Sequence, residues 1–117
     1  MELVRADSRR TFRCRVATSF VSRFRGLMGV KELPPGDGLL LPRTSSVHTH
    51  FMRFPIDVVF LDADLRIVSI VNALRPWRLA ASIQASSALE LAAGECERLG
   101  LRVGDVLHVV PAAPVFR

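Results

Sequence analysis

The sequence has no tyrosine, one tryptophan (Trp77), one lysine (Lys31) and two cysteines, Cys14 and Cys96. Each scarcity excludes something. Two cysteines are too few for a disulfide framework, and neither sits in a Cys-x-x-Cys metal or redox motif. They read as two small buried hydrophobes or as one bridge joining the two ends of the chain. Few aromatic rings leave little for base stacking, so nucleic acid is an unlikely partner. The longest apolar stretches, such as Val58-Val59-Phe60-Leu61, fall far short of the ~20 residues that span a bilayer. Charges occupy the first ten residues where a signal peptide needs an apolar segment, so the expected location is cytoplasmic. There is no Gly-x-Ser-x-Gly elbow, no His beside either cysteine and no phosphate-cradling glycine loop. No cofactor is expected.

What is present is a chain of 117 residues, half of them hydrophobic, with net charge +5. That suits one domain over 1–117 with its core over about 12–110. The charge is local. Arginines 5, 9, 10, 13, 15, 23 and 25 face only Glu2 and Asp7 in the first segment, whereas residues 26–117 balance. The basic segment is either a phosphate-facing patch or a solvated face written with arginine. A proline-bearing tail, with Pro111 and Pro114, closes the chain.

Short apolar runs alternate with turn signals, the pattern of a β-rich domain. Strands are expected over 11–17, 38–41, 46–52, 56–61, 66–71, 88–91 and 106–110. Phe12, Cys14 and Val16 alternate with Arg13 and Arg15 in the first, giving one buried and one solvated face. A helix is expected over 20–28, with Phe20, Phe24, Leu27 and Met28 on one stripe, Thr18 or Ser19 as cap and Gly29 at the end. Glu95 to Leu99 is a second, minor helical turn closed by Gly100. Asp62-Ala63-Asp64 and Gly104-Asp105 are turns, and 75–86 reads as irregular surface chain. With one helix long enough to cross over, a parallel layout is disfavoured. The expected class is mainly β (α+β): a compact antiparallel β-sandwich or small barrel with a short N-terminal helix.

Several motifs occur in order: Arg25-Gly26-Leu27-Met28, Val47-His48-Thr49, Met52-Arg53-Phe54-Pro55-Ile56-Asp57-Val58-Val59-Phe60-Leu61-Asp62, Leu89-Glu90-Leu91 with Gly94, and Gly104-Asp105. Together they resemble domain of unknown function 192 over about residues 15–110, most specifically from His48 to Asp62. The resemblance implies a small β-rich sandwich or barrel. It implies no established activity, cofactor or substrate. Many relatives carry a signal peptide or lipid anchor, and many carry Trp-Met-Lys-Asn-Thr before the Pro-Leu/Ile-Asp. Here that stretch is Phe51-Met52-Arg53-Phe54, so any role of the Asn and Thr does not carry over.

The polar residues of this pattern are the site candidates. His48 and His50 fall two apart in an expected strand, on one face. They are either structural histidines or a metal pair completed by Asp57, Glu90 or His108. Arg53 and Asp57 flank Phe54-Pro55. Either they pin a corner, by a salt bridge or by Asp57 accepting backbone amides, or Arg53 holds a carboxylate or phosphate at a pocket lip. Glu90 lies between Leu89 and Leu91 and faces away from them, into water or into a groove lined by His48. Trp77, between Arg75 and Arg78 in sequence neighbourhood, is the expected exposed aromatic and a protein-contact candidate.

The leading reading is a non-catalytic binding or accessory module. His48, Arg53, Asp57 and Glu90 would share a shallow groove that takes a small anionic ligand or a peptide. One alternative is a metal-dependent hydrolase or lyase using His48, His50 and an acid. Another is a scaffold that docks through Trp77 and the basic first segment.

Overall fold

The computed structural model describes residues 2–5, 11–17 and 32–110. The strands are β1 (Glu2–Arg5), β2 (Thr11–Val16), β3 (Asp37–Pro42), β4 (Ser46–His48), β5 (Ile56–Leu61), β6 (Ile67–Leu74), β7 (Leu79–Ala81), β8 (Ser87–Ala92) and β9 (Leu107–Val110). Among the described residues one short helix, α1, covers Glu95–Leu99. Seven strands form one sheet in the order β6-β5-β8-β3-β2-β1-β9, and β4 pairs with β7 in a second sheet.

All neighbours in the large sheet are antiparallel except β2 and β3, which run parallel. That departs from the expected all-antiparallel layout. A parallel pair needs a crossover of a dozen or more residues, and the chain between β2 and β3 is long enough to supply it. The expected helix over 20–28, with its caps and Arg25-Gly26-Leu27-Met28, falls in that connection and outside the described residues, as does the tail from 111.

The sheet curls so that its two edges meet at one end. An isolated bridge joins Arg66 to Val106. The Ile67 N–H donates to Asp105 O at 2.8 Å, and the Leu107 N–H to Leu65 O at 2.9 Å. No further ladder forms there, so the fold is mainly β without a closed barrel, consistent with a β-rich sandwich.

Every residue of β5, Ile-Asp-Val-Val-Phe-Leu, is buried. A strand buried along its whole length, and apolar at every position but Asp57, is a central strand covered on both faces. Its two faces feed two cores. Val59 and Leu61 join Cys14, Leu40, Leu89, Leu91, Leu99 and Leu107 inside the curl. Val58 and Phe60 join Leu39, Leu41, Ala88, Val47 and Met52 on the other side, where Ala80 of the small sheet also packs. Cys14 and Cys96 are both buried and free, matching the small-hydrophobe alternative. Burial pushes their thiols up to about 11 and about 12, which keeps them protonated and inert.

Three local departures from the sequence reading shape the site. The strand expected over 46–52 stops at His48, because the chain turns there around Thr49. The stretch 75–86 is not irregular throughout but holds β7. No element was expected before residue 11, yet β1 pairs with both β2 and β9.

Candidate functional site

Thr49 is a small polar residue with no exposed surface, and it ties two loops together. Its hydroxyl donates to Arg75 O at 2.6 Å and accepts from the Arg78 N–H at 2.8 Å. Its own N–H donates to Arg78 O, and its carbonyl accepts from Trp77 and Met52. A buried hydroxyl must be paired or it costs about 1–3 kcal/mol. Here every polar atom of Thr49 is used, so the loops 49–53 and 75–78 are held at fixed separation.

The held loops carry aromatic rings outward. Phe51 and Trp77 are 62 % and 55 % exposed. Both sit on left-handed backbone, at φ 62° and 64°. That conformation costs a non-glycine residue about 1 kcal/mol or more and persists only where surroundings enforce it. The rings form a chain. His48 and His50 lie 5.1 Å apart between centroids, His50 and Trp77 5.4 Å, and Trp77 and Phe51 4.7 Å. The His50 N–H donates to His48 Nδ1 at 3.2 Å. His48 in turn stands opposite the exposed Leu79 in the β4–β7 pair. The result is one continuous lip from Leu79 through His48, His50 and Trp77 to Phe51. Arg53, Arg75 and Arg78 are exposed on the same loops. Among the described residues no carboxylate pairs with them.

Sequence reasoning placed Trp77 at the surface, as found. Phe51 and Leu79 went unmarked, because an exposed aromatic on a turn looks like a core residue when 46–52 is taken as strand. Thr49 was quoted only as part of a motif; its burial has no signal in sequence.

The four ligand candidates do not share one hollow. Asp57 pairs in register with Leu91, and Glu90 with Val58. Cross-strand partners share a face, so Asp57 points into the curl and Glu90 to the side where the small sheet packs. The separation follows from the period of two, which sends 57 and 58 to opposite faces.

Asp57 is a backbone anchor. Its Oδ1 accepts from Ala73 N–H at 2.9 Å, and its Oδ2 from Gly94 at 3.1 Å and Cys96 at 3.0 Å. Ala73 lies where the β5–β6 register shifts, at φ 50°. The carboxylate therefore satisfies a bulge and the first turn of α1 together, the amide-accepting alternative of the sequence reading. No salt bridge joins it to Arg53, which is exposed. A cleft of about 570 Å³ opens above it, between Asn72 and Ala73 on β6 and Cys96, Glu97 and Arg102 around α1.

Glu90 is 2 % exposed, and among the described residues its Oε2 has no hydrogen-bond partner. Burial alone pushes its carboxyl from 4.5 up to about 8, since desolvation penalises the charged form. Among the described residues no three His, Cys, Asp or Glu come together as a metal site, at His48 and His50 or elsewhere. His108 is exposed on β9, away from both.

Among the described residues no helix is long and apolar enough to cross a membrane. The family model DUF192, described as an uncharacterized ACR, matches residues 2–109. A UPF0127 protein of Thermococcus sibiricus is 34 % identical over 100 residues, covering 81 % of this chain and 64 % of that protein. A UPF0127 protein of Thermococcus kodakarensis is 33 % identical over 102 residues, 83 % of this chain and 64 % of its own length. The chain thus spans somewhat less than two thirds of these curated relatives. A crystal structure of a protein of unknown function from Novosphingobium aromaticivorans superposes with a TM-score of 0.81 at 23 % identity, over 92 % of this chain and 82 % of that one. A putative transcription regulator from Sinorhizobium meliloti superposes at 0.82 with 26 % identity, over 92 % and 89 %.

Proposed function

We propose that this chain, which belongs to the DUF192 family, is a non-catalytic binding module. Its contact surface is the lip of Leu79, His48, His50, Trp77 and Phe51, and it takes a ligand that presents an anionic group beside an apolar one. The observation that carries this reading is the pair of exposed aromatic residues on left-handed backbone, held there by a fully bonded Thr49. The arrangement strains two residues and, despite the contact between their rings, leaves more than half of each exposed. Contact with a partner would return the cost. The arginines 53, 75 and 78 supply the complement for the anionic group.

Trp77 is the only tryptophan, and there is no tyrosine, so intrinsic emission reports on the lip alone. Titration with N-acetyl-Leu-Glu, with its neutral counterpart N-acetyl-Leu-Gln amide, and with inorganic phosphate tests the reading. A saturable change in emission is expected for the acidic dipeptide. It should vanish in an Arg53→Ala, Arg75→Ala double variant whose melting temperature is unchanged. Equal responses to the acidic and neutral dipeptides, or none to any of the three, would refute the proposed surface.

A further inference from the structure

We infer that the free edge of β7, beside this lip, receives an extended acidic peptide as a third strand of the small sheet. The inference rests on the reading of the lip as a contact surface and specifies how the partner lies on it.

The register decides which backbone groups are available. The Thr49 N–H donates to Arg78 O, and the Ser82 N–H to Ser45 O. These bonds bracket the Val47–Ala80 pair. In an antiparallel ladder, bonded and non-bonded pairs alternate. Ala80 therefore turns its N–H and C=O toward β4, while Leu79 and Ala81 turn theirs away. No described strand covers that edge. A two-stranded sheet is marginal by itself, and an uncovered edge is a template for another chain. Edges of this kind are otherwise blunted by proline or lysine, and β7 contains neither.

The side chains say what kind of chain fits. Leu79 is 73 % exposed and stands opposite His48 on the outer face. A strand laid along β7 would place alternate side chains against Leu79 and the adjoining rings, the pattern of strand-addition recognition. Arg78 immediately precedes the edge, and Arg75 and Arg53 lie on the joined loops, all exposed and, among the described residues, without a carboxylate partner. An incoming segment with acidic residues supplies those partners. A second copy of this chain would bring three more arginines to the same place, and its overall charge of +5 is of the wrong sign. Single-stranded nucleic acid would use the rings and arginines but has no use for the Leu79 and Ala81 amides.

The experiment uses the whole protein and two fluorescein-labelled octapeptides, one alternating valine with glutamate and one alternating valine with lysine, with a ten-nucleotide oligothymidylate as a third probe. The glutamate peptide should bind at least about tenfold tighter than the lysine peptide by anisotropy, and the Leu79 and Ala81 amides should gain protection from hydrogen exchange. Ala81→Pro removes an outward amide without touching the β4 ladder and should weaken binding by about tenfold. Phe51→Ala should also weaken it. If Phe51→Ala loses binding but Ala81→Pro does not, the lip stands and strand addition falls. If the lysine peptide binds as well, if only the oligonucleotide binds, or if no probe binds, the inference is overturned. A melting curve of Ala81→Pro that matches the parent excludes unfolding as the cause of lost binding.

Discussion

Glu90 sits between Leu39 and Val58 on neighbouring strands, buried, with one oxygen unpartnered among the described residues. A charged carboxylate there is desolvated by burial, so the folded protein keeps the proton up to about pH 8. In the unfolded chain the same group ionises near its ordinary value of 4.5. The folded state therefore binds more protons than the unfolded state between these values, and stability must fall as pH rises through that window. Each pH unit is worth about 1.4 kcal/mol per proton, so the loss from about pH 4 to about pH 9 is about 5 kcal/mol. Glu90→Gln removes the proton and keeps the shape. The variant carries a constant cost for its buried amide, but no pH-dependent one from this site. Urea unfolding of both proteins from pH 4 to pH 9 isolates the effect, because the other titrating groups cancel in the difference. The difference in unfolding free energy should shift by about 5 kcal/mol in favour of Gln as pH rises, and should level off above pH 8. A difference that stays flat across the range would show that Glu90 finds a compensating partner, and would refute the assignment of a neutral, unpaired acid.

Other consequences are cheaper to check. Asp57→Ala leaves the amides of Ala73, Gly94 and Cys96 without an acceptor; at about 1–3 kcal/mol each it should unfold the protein or cost at least about 4 kcal/mol by denaturant titration. Thr49→Val keeps the volume and loses the hydroxyl's bonds to Arg75 and Arg78; a cost of about 2 kcal/mol should come with a shift in Trp77 emission as the loops part. Ala73→Gly relieves the φ of 50° at an exposed position without disturbing the amide bond to Asp57, and should raise stability by up to about 1 kcal/mol in thermal melts.

The two core faces were legible because their signal is periodic. Alternation in 11–17 and the apolar run of 58–61 both led to the right strands, and Asp62, Gly100 and Gly104 marked real turns. Asp62 Oδ1 accepts from the amides of Asp64 and Arg66, and Gly100 and Gly104 take left-handed φ. What the sequence concealed depends on long-range bonds. β7 is three residues of Leu-Ala-Ala, too short and too alanine-rich to register as strand. The end of β4 is dictated by Thr49 bonding to residues about thirty positions away. The expected common groove assumed that motif neighbours meet. Adjacent strand positions instead diverge to opposite faces, and Asp57 went to one core while Glu90 went to the other.

That divergence changes what the motif residues mean. Thr49 and Asp57 both lie in the run that carries the family resemblance, and both commit their side-chain oxygens to backbone amides and carbonyls. Side chains committed in this way act first as anchors of the backbone. Their work is geometric: Asp57 fixes the bulge and α1, and Thr49 fixes two loops. The surface they build is written by residues outside that logic, Phe51, Trp77, Leu79 and the arginines, whose side chains contribute nothing to the buried bonding. Altering the anchors should therefore change stability first and binding only as a consequence. Altering the lip should change binding with stability nearly untouched, or improved where a strained φ is released. A lip variant that lost stability in step with binding would break this division and return the rings to the core.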